Sequence, residues 1–210
     1  SGVEGIVAIN YLGCDVAGEN GQYGSPTGDC RGVKLATVIR QNIIYNGGST
    51  GAIVCYAAAG VQVIGNTVYG GESTGLYIND KVQYCNNWEV FNNIFTNHQR
   101  AEISVYSPDS LVIDQNNLLF HPGNNAAYQV FGTLDDFYNL VEWQAVTGLG
   151  RNSIEKDPRF VNPTKQDFHL SSTSPAIDQG IDPGIPYDFE GRSRRLGAGY
   201  DLGVYEFAAP

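Results

Sequence analysis

The chain has 210 residues, enough for one domain with a substantial core. Charged residues make up only 16%, glycine is abundant at 26 residues and methionine is absent, a composition that suits a turn-rich β protein rather than a helical one. With 22 acidic against 12 basic residues the formal net charge is −10, which argues against nucleic acid and disfavours polyanionic sugars. No apolar run is long enough to span a bilayer, so no membrane partner is expected.

The chain opens at Ser1 without methionine, as a processed or excised segment would. Gly5-Ile6-Val7-Ala8-Ile9-Asn10 reads as a strand, and nothing before Gly5 could cap it, so further coils or another chain are expected on that edge. A Gly-rich insertion follows over residues 11–32, flanked by Cys14 and Cys30, where a disulfide closing the loop is plausible in an exported protein. Cys55 and Cys85 leave a second bridge open. None of the four cysteines has metal-finger spacing, and His98, His121 and His169 stand apart from them and from one another.

Four related stretches then follow: Val38 to Tyr45, Val63 to Tyr69, Val90 to Phe95 and Val112 to Leu119. Each has two apolar residues, a polar break ending in asparagine and another apolar run. Taking Asn42, Asn66, Asn93 and Asn116 as marks, the steps are 24, 27 and 23 residues, a period that points to a stacked solenoid. Between the marks a second short strand recurs at Gly51 to Tyr56, Gly75 to Asp80 and Glu102 to Ser107. Leucine-rich spacing is absent, so the expected fold is an all-β parallel β-helix of about five coils over residues 1–150. The recurring asparagine is read as structural, because it tolerates a left-handed bend and can bond the amides of the next coil.

Gly71-Glu72-Ser73-Thr74-Gly75 has the form of a hydrolase nucleophile elbow, yet it runs into a strand and recurs one coil earlier as Gly47-Gly48-Ser49-Thr50-Gly51. It is therefore read as a repeated corner. Further on, Ala127 to Phe131 is expected to be one more strand, and a short helix is expected within residues 134–146.

The last sixty or so residues contain, in order, Asp157-Pro158-Arg159-Phe160, Asp167-Phe168-His169-Leu170, Ser174-Pro175-Ala176-Ile177-Asp178-Gln179-Gly180, Asp188-Phe189-Glu190-Gly191-Arg192 and Asp201-Leu202-Gly203-Val204-Tyr205-Glu206. This set resembles the C-terminal coil and cap of secreted bacterial right-handed parallel β-helix proteins, and the resemblance implies that the β-helix is right-handed and that residues 151–210 form a C-terminal coil and irregular cap in the same domain. The resemblance implies export and, in many relatives, contact with polysaccharide; relatives include lyases, hydrolases, sugar-binding modules and surface proteins, so it implies a fold and leaves the function open. From the residues themselves, Asp188 and Asp201 can accept turn amides and Arg192 can pair with one of them. No cofactor is expected. Calcium is considered at Asp178, Asp182 or Asp188, without a supporting loop spacing.

Strand alternation sorts the faces. With Leu76, Ile78, Ile103, Val105, Tyr128 and Val130 inward, Tyr77, Asn79, Ser104, Tyr106, Gln129 and Phe131 point outward, and in the earlier coil Ile53 and Cys55 would do so. Tyr77, Tyr106 and Phe131 could then form an aromatic strip, with Asn79, Asp80 and Gln129 reading sugar hydroxyls. Buried under loops, the same aromatics would be satellite core. A hydrolase would need paired carboxylates, for which Asp80, Glu102 and Asp109 are near in register; a lyase would need cations or calcium, and the repeats offer only Lys81 and Arg100. Neither set is convincing. The expectation is a non-catalytic, secreted module binding a neutral, xylan-like polysaccharide, with a catalytic domain of the same parent protein as a further partner; the alternatives are a polysaccharide lyase or glycoside hydrolase of the β-helix fold, or a structural surface solenoid.

Overall fold

The computed structural model describes residues 6–8 through their backbone and residues 37–55, 58–80, 85–123, 126–132 and 135–209 in full. The insertion over 11–32 and the Cys14–Cys30 pairing lie outside the described residues.

A first strand, β1 (Ile6–Ala8), is followed by coils of three strands each. They are β2 (Val38–Arg40), β3 (Ile43–Gly47) and β4 (Ile53–Cys55); β5 (Gln62–Ile64), β6 (Thr67–Gly71) and β7 (Thr74–Ile78); β8 (Trp88–Phe91), β9 (Ile94–His98) and β10 (Ala101–Val105); and β11 (Leu111–Gln115), β12 (Leu118–Phe120) and β13 (Ala126–Val130). Strands at equivalent places stack in parallel into three sheets. Sheet A has the order β1-β4-β7-β10-β13, sheet B runs β2-β5-β8-β11, and sheet C runs β3-β6-β9-β12. This is a parallel β-solenoid of about three turns, since four rungs of sheet B are separated by three steps. The expected five coils are slightly too many.

The winding ends for a visible reason. After β13 the chain doubles back as β14 (Asp136–Tyr138), antiparallel to β13, and enters helix α1 (Leu140–Thr147). The short helix falls where one was expected, and Asn139 fixes its start, accepting from the Glu142 amide while Glu142 accepts from the Asn139 amide. Trp143 projects from α1 into the open end of the core and stacks on Tyr128 at 4.4 Å. A last rung, β15 (Ile154–Glu155), extends sheet C.

Inside, Val, Ile and Leu side chains of the three sheets form one fully buried core with Trp88 and Phe95. Cys55 and Cys85, both buried, are joined by a disulfide that closes a separation of 30 residues.

The asparagine repeat separates into two adjacent columns. Asn42, Asn66, Asn93 and Asn117 form the ladder: each Oδ1 from Asn66 onward accepts both the backbone and the side-chain N–H of the asparagine one coil earlier, at 2.9–3.0 Å. Ser153 ends the ladder by accepting the Asn117 amide. The left-handed bend belongs to the preceding residue, at φ 53 for Gln41, 60 for Gly65, 59 for Asn92 and 48 for Asn116. Asn116 is therefore a bend residue and Asn117 the ladder residue, so the last step is 24, not 23.

That bend column is where the tail docks. The Asn116 side chain donates to Gln179 O, Asn92 exchanges bonds with the Ile181 amide and carbonyl, and Gln41 donates to Tyr187 O. The tail thus runs back along the corner between sheets B and C. The hairpin of β16 (Phe160–Asn162) and β17 (Asp167–Leu170), with Leu202 and Val204, covers the outer face of sheet C.

Within the tail, Asp188 accepts the amides of Glu190, Arg192 and Glu206, and Asp201 those of Asp178 and Phe207, as expected of turn carboxylates. The buried pairing is different from the expected one. Arg194 reaches Glu206 at 3.2 Å and several backbone carbonyls, whereas Arg192 is exposed and pairs with Glu190. Asp178 and Asp182, weighed for calcium, accept the amides of Gly199 and Gly184.

Candidate functional site

The outer face of sheet A carries the aromatic residues. Pairing puts Val54, Tyr77, Ser104 and Gln129 in one outward column, ending at Phe137 of β14. Ile53 and Cys55, expected to point outward, are fully buried in the core instead. The cause is the corner before β4. Between the matched positions Gly47 and Ile53 there are six steps, against five from Gly71 to Leu76 and five from His98 to Ile103, and a one-residue offset exchanges the faces.

Tyr106 and Phe131 occupy the next outward level, the Tyr106 amide bonding Ile78 O and the Phe131 amide Val105 O. Tyr77 is thus level with Ser104, not with Tyr106. Its ring nevertheless stacks on Phe131, with centroids 4.8 Å apart and planes within 8°. Their strands are two rungs apart, roughly 10 Å, and the small Ser104 between them leaves room for the rings to lean together. Tyr106 adds an edge contact to Phe131 at 5.8 Å. All three rings are half-buried. The three expected residues do come together, as a stacked cluster rather than a flat strip.

Beside this cluster lies a cleft of about 230 Å³, lined by Tyr77, Phe131, Gln129 and Arg100 and by the hydroxyl residues Ser49, Thr50, Ser73 and Thr74. Gln129 is buried and its amide is already engaged: Oε1 accepts from Arg100 Nε at 2.8 Å and from Ser104 Oγ at 2.9 Å, while Nε2 donates to Asp135. Its role is to orient Arg100. The guanidinium, about half exposed, also lies 3.5 Å from Asp135, and it has five N–H donors for these partners and for the cleft. Arg100 and the four hydroxyl residues were not among the expected contacts. The repeated Gly-x-Ser-Thr-Gly corner was the signal for the hydroxyl residues.

Asn79 and Asp80 do not line this cleft. Asp80 holds the segment carrying the disulfide, accepting the Cys85 amide at 2.9 Å and the Ser110 hydroxyl at 3.5 Å; burial pushes its carboxyl above the ordinary range despite these bonds. Of the other weighed carboxylates, Asp109 is exposed. Glu102 is fully buried at the corner, bonded to the equally buried His98. Gly75 makes room for them, since a Cβ there would meet His98 Cε1 at 2.8 Å and Glu102 O at 2.7 Å. Among the described residues, no carboxylate and no imidazole lines the cleft. Comparison of the chain with protein-family models, curated proteins and solved structures finds no match.

Proposed function

We propose that the protein binds a neutral polysaccharide, of xylan type by preference, on the outer face of sheet A, as a non-catalytic module of an extracellular glycan-degrading system. The observation that carries this reading is the cleft itself, where aromatic surface, the hydroxyl residues Ser49, Thr50 and Ser73 and one anchored guanidinium converge, the buried Thr74 hydroxyl being bonded to Leu76 O. The apolar C–H face of a sugar packs on aromatic surface, and hydroxyls and guanidinium N–H groups match sugar hydroxyls. Hydrolysis would call for two carboxylates flanking the scissile bond; of those weighed for it, Asp80 and Glu102 are bonded elsewhere and Asp109 does not line the cleft. The Cys55–Cys85 disulfide suits an oxidising compartment.

Affinity electrophoresis against neutral and acidic polysaccharides tests the proposal. Retarded migration in xylan is expected, and Tyr77→Ala should weaken it about ten-fold, roughly 1.4 kcal/mol, with the unfolding midpoint little changed. Release of reducing ends or of unsaturated uronates would assign the face to a hydrolase or a lyase instead, and silence in every assay would leave a structural solenoid.

A further inference from the structure

A second and larger cleft, of about 480 Å³, lies on the other side of the corner that borders the first. Its floor is glycine, from Gly47 and Gly48 in one coil and Gly70 and Gly71 in the next, and Tyr69 forms one wall. Asn46 and Asn97 flank the notch, with Glu72 and Gln99 exposed at its rim.

The notch follows from local sequence. Asn46, Gly70 and Asn97 share one column at the ends of β3, β6 and β9, all in the left-handed region at φ 52, 70 and 66. The middle coil has glycine where its neighbours have asparagine, so a side chain is missing between two amides. The floor cannot fill in, because a Cβ at Gly71 would lie 2.9 Å from Gly47 O and one at Gly47 would lie 2.5 Å from Ala52 Cβ.

The two clefts meet at the same boundary in three successive coils. Gly48 lines one and Ser49 the other; Glu72 and Ser73 divide likewise, and so do Gln99 and Arg100. The repeated corner is therefore a ridge with a polar cleft on each side. We infer that a single neutral glycan chain straddles this ridge, with one sugar in the sheet A cleft and another on the glycine floor, its direction following the coil and not the solenoid axis. This rests on the proposed function and specifies the subsite and the path of the chain. The second cleft suits an uncharged sugar, because three amides, one carboxylate and a tyrosine line it and, among the described residues, no cationic side chain does. Glycine lets the ring approach the backbone, and the amides and Glu72 bond its hydroxyls.

Gly70→Asn tests this directly. It restores the asparagine column, adopts a backbone conformation both neighbours already hold, and its Cβ would meet only the mobile end of the Asn46 side chain, at 3.0 Å. Calorimetric titration with xylohexaose and cellohexaose should show binding about ten-fold weaker than wild type for the hexaose the protein takes, with an unchanged unfolding midpoint. Glu72→Ala/Gln99→Ala, at two exposed positions, should weaken binding about five-fold and serves if Gly70→Asn folds poorly. Wild-type affinity in these variants, alongside loss in Tyr77→Ala, would overturn the second subsite and leave the proposed function standing. If wild type binds neither hexaose, the proposed function and this inference both fall.

Discussion

Sheets A and C of the solenoid carry aromatic residues at outward positions, yet the two faces have different fates. On sheet C, Tyr45 stacks on Tyr69 at 5.8 Å, and Tyr69 packs against Phe168 of the tail at 5.1 Å. Phe168 in turn meets Phe160 at 5.3 Å, and Ile94, Leu118, Leu170 and Leu202 form a second apolar cluster beside them. Gly203 lets the tail lie this close, since a Cβ there would meet Thr67 Oγ1 at 2.7 Å and Ile94 Cδ1 at 2.8 Å. On sheet A, Tyr77 and Phe131 stack on each other beside an open cleft. An outward aromatic residue is thus packed under the tail or left beside an open cleft according to what lies over it, and we propose a recognition role for the open face alone.

The largest expected effect would break this contrast if it failed to appear. Phe168→Ala should destabilise the protein by about 3–5 kcal/mol, as for a fully buried phenylalanine, and Phe131→Ala by about 1–2 kcal/mol, because its ring is half-buried and its neighbours can close over the gap. Urea unfolding of both variants measures the difference. Equal losses would mean that the sheet A cluster is as much core as the sheet C cluster.

A smaller effect sharpens the contrast at the closed end of the core. Burial raises the Asp114 carboxyl to about 6 from the ordinary 3.8, although it accepts hydrogen bonds from Trp143 Nε1 at 3.0 Å and Asn117 Nδ2 at 2.9 Å. The folded state therefore holds a proton that the unfolded chain has released between pH 4 and 6. The resulting stabilisation is complete below pH 4 and is lost as pH rises through 6, amounting to about 3 kcal/mol for a shift of this size. Asp114→Asn cannot ionise. Whatever its fixed offset, its stability relative to wild type should improve by about that amount between pH 4 and pH 7, measured by urea unfolding across pH. A flat or opposite difference would mean that this carboxyl is ionised at no cost in the core.

The solenoid was legible in the chain because its cause is local and repeated: an apolar pair, a polar break and an asparagine return every coil. The same repeat concealed its own phase, since Asn116 and Asn117 are adjacent and serve different columns, one bending the backbone and the other bonding the next coil. Register was harder to read, because one extra residue in the first corner turned Ile53 and Cys55 inward. Tyr77, Tyr106 and Phe131 were correctly grouped, but stacking between Tyr77 and Phe131 depends on the size of Ser104 between them. Covering of sheet C was invisible, because the Val204 amide and Thr67 Oγ1 that meet there are 137 residues apart. Arg100 was legible as a cation and not as a cleft residue, since Gln129 and Asp135, which hold its guanidinium, come from later in the chain.

Hydrogen–deuterium exchange with and without xylohexaose tests most directly whether the uncovered face is the one that meets the glycan. Slower exchange is predicted in segments 46–50, 70–77, 97–100 and 129–131, with none at 91–93 under the tail or at 202–204 within it. Protection confined to the tail, or spread evenly over the coils, would contradict it.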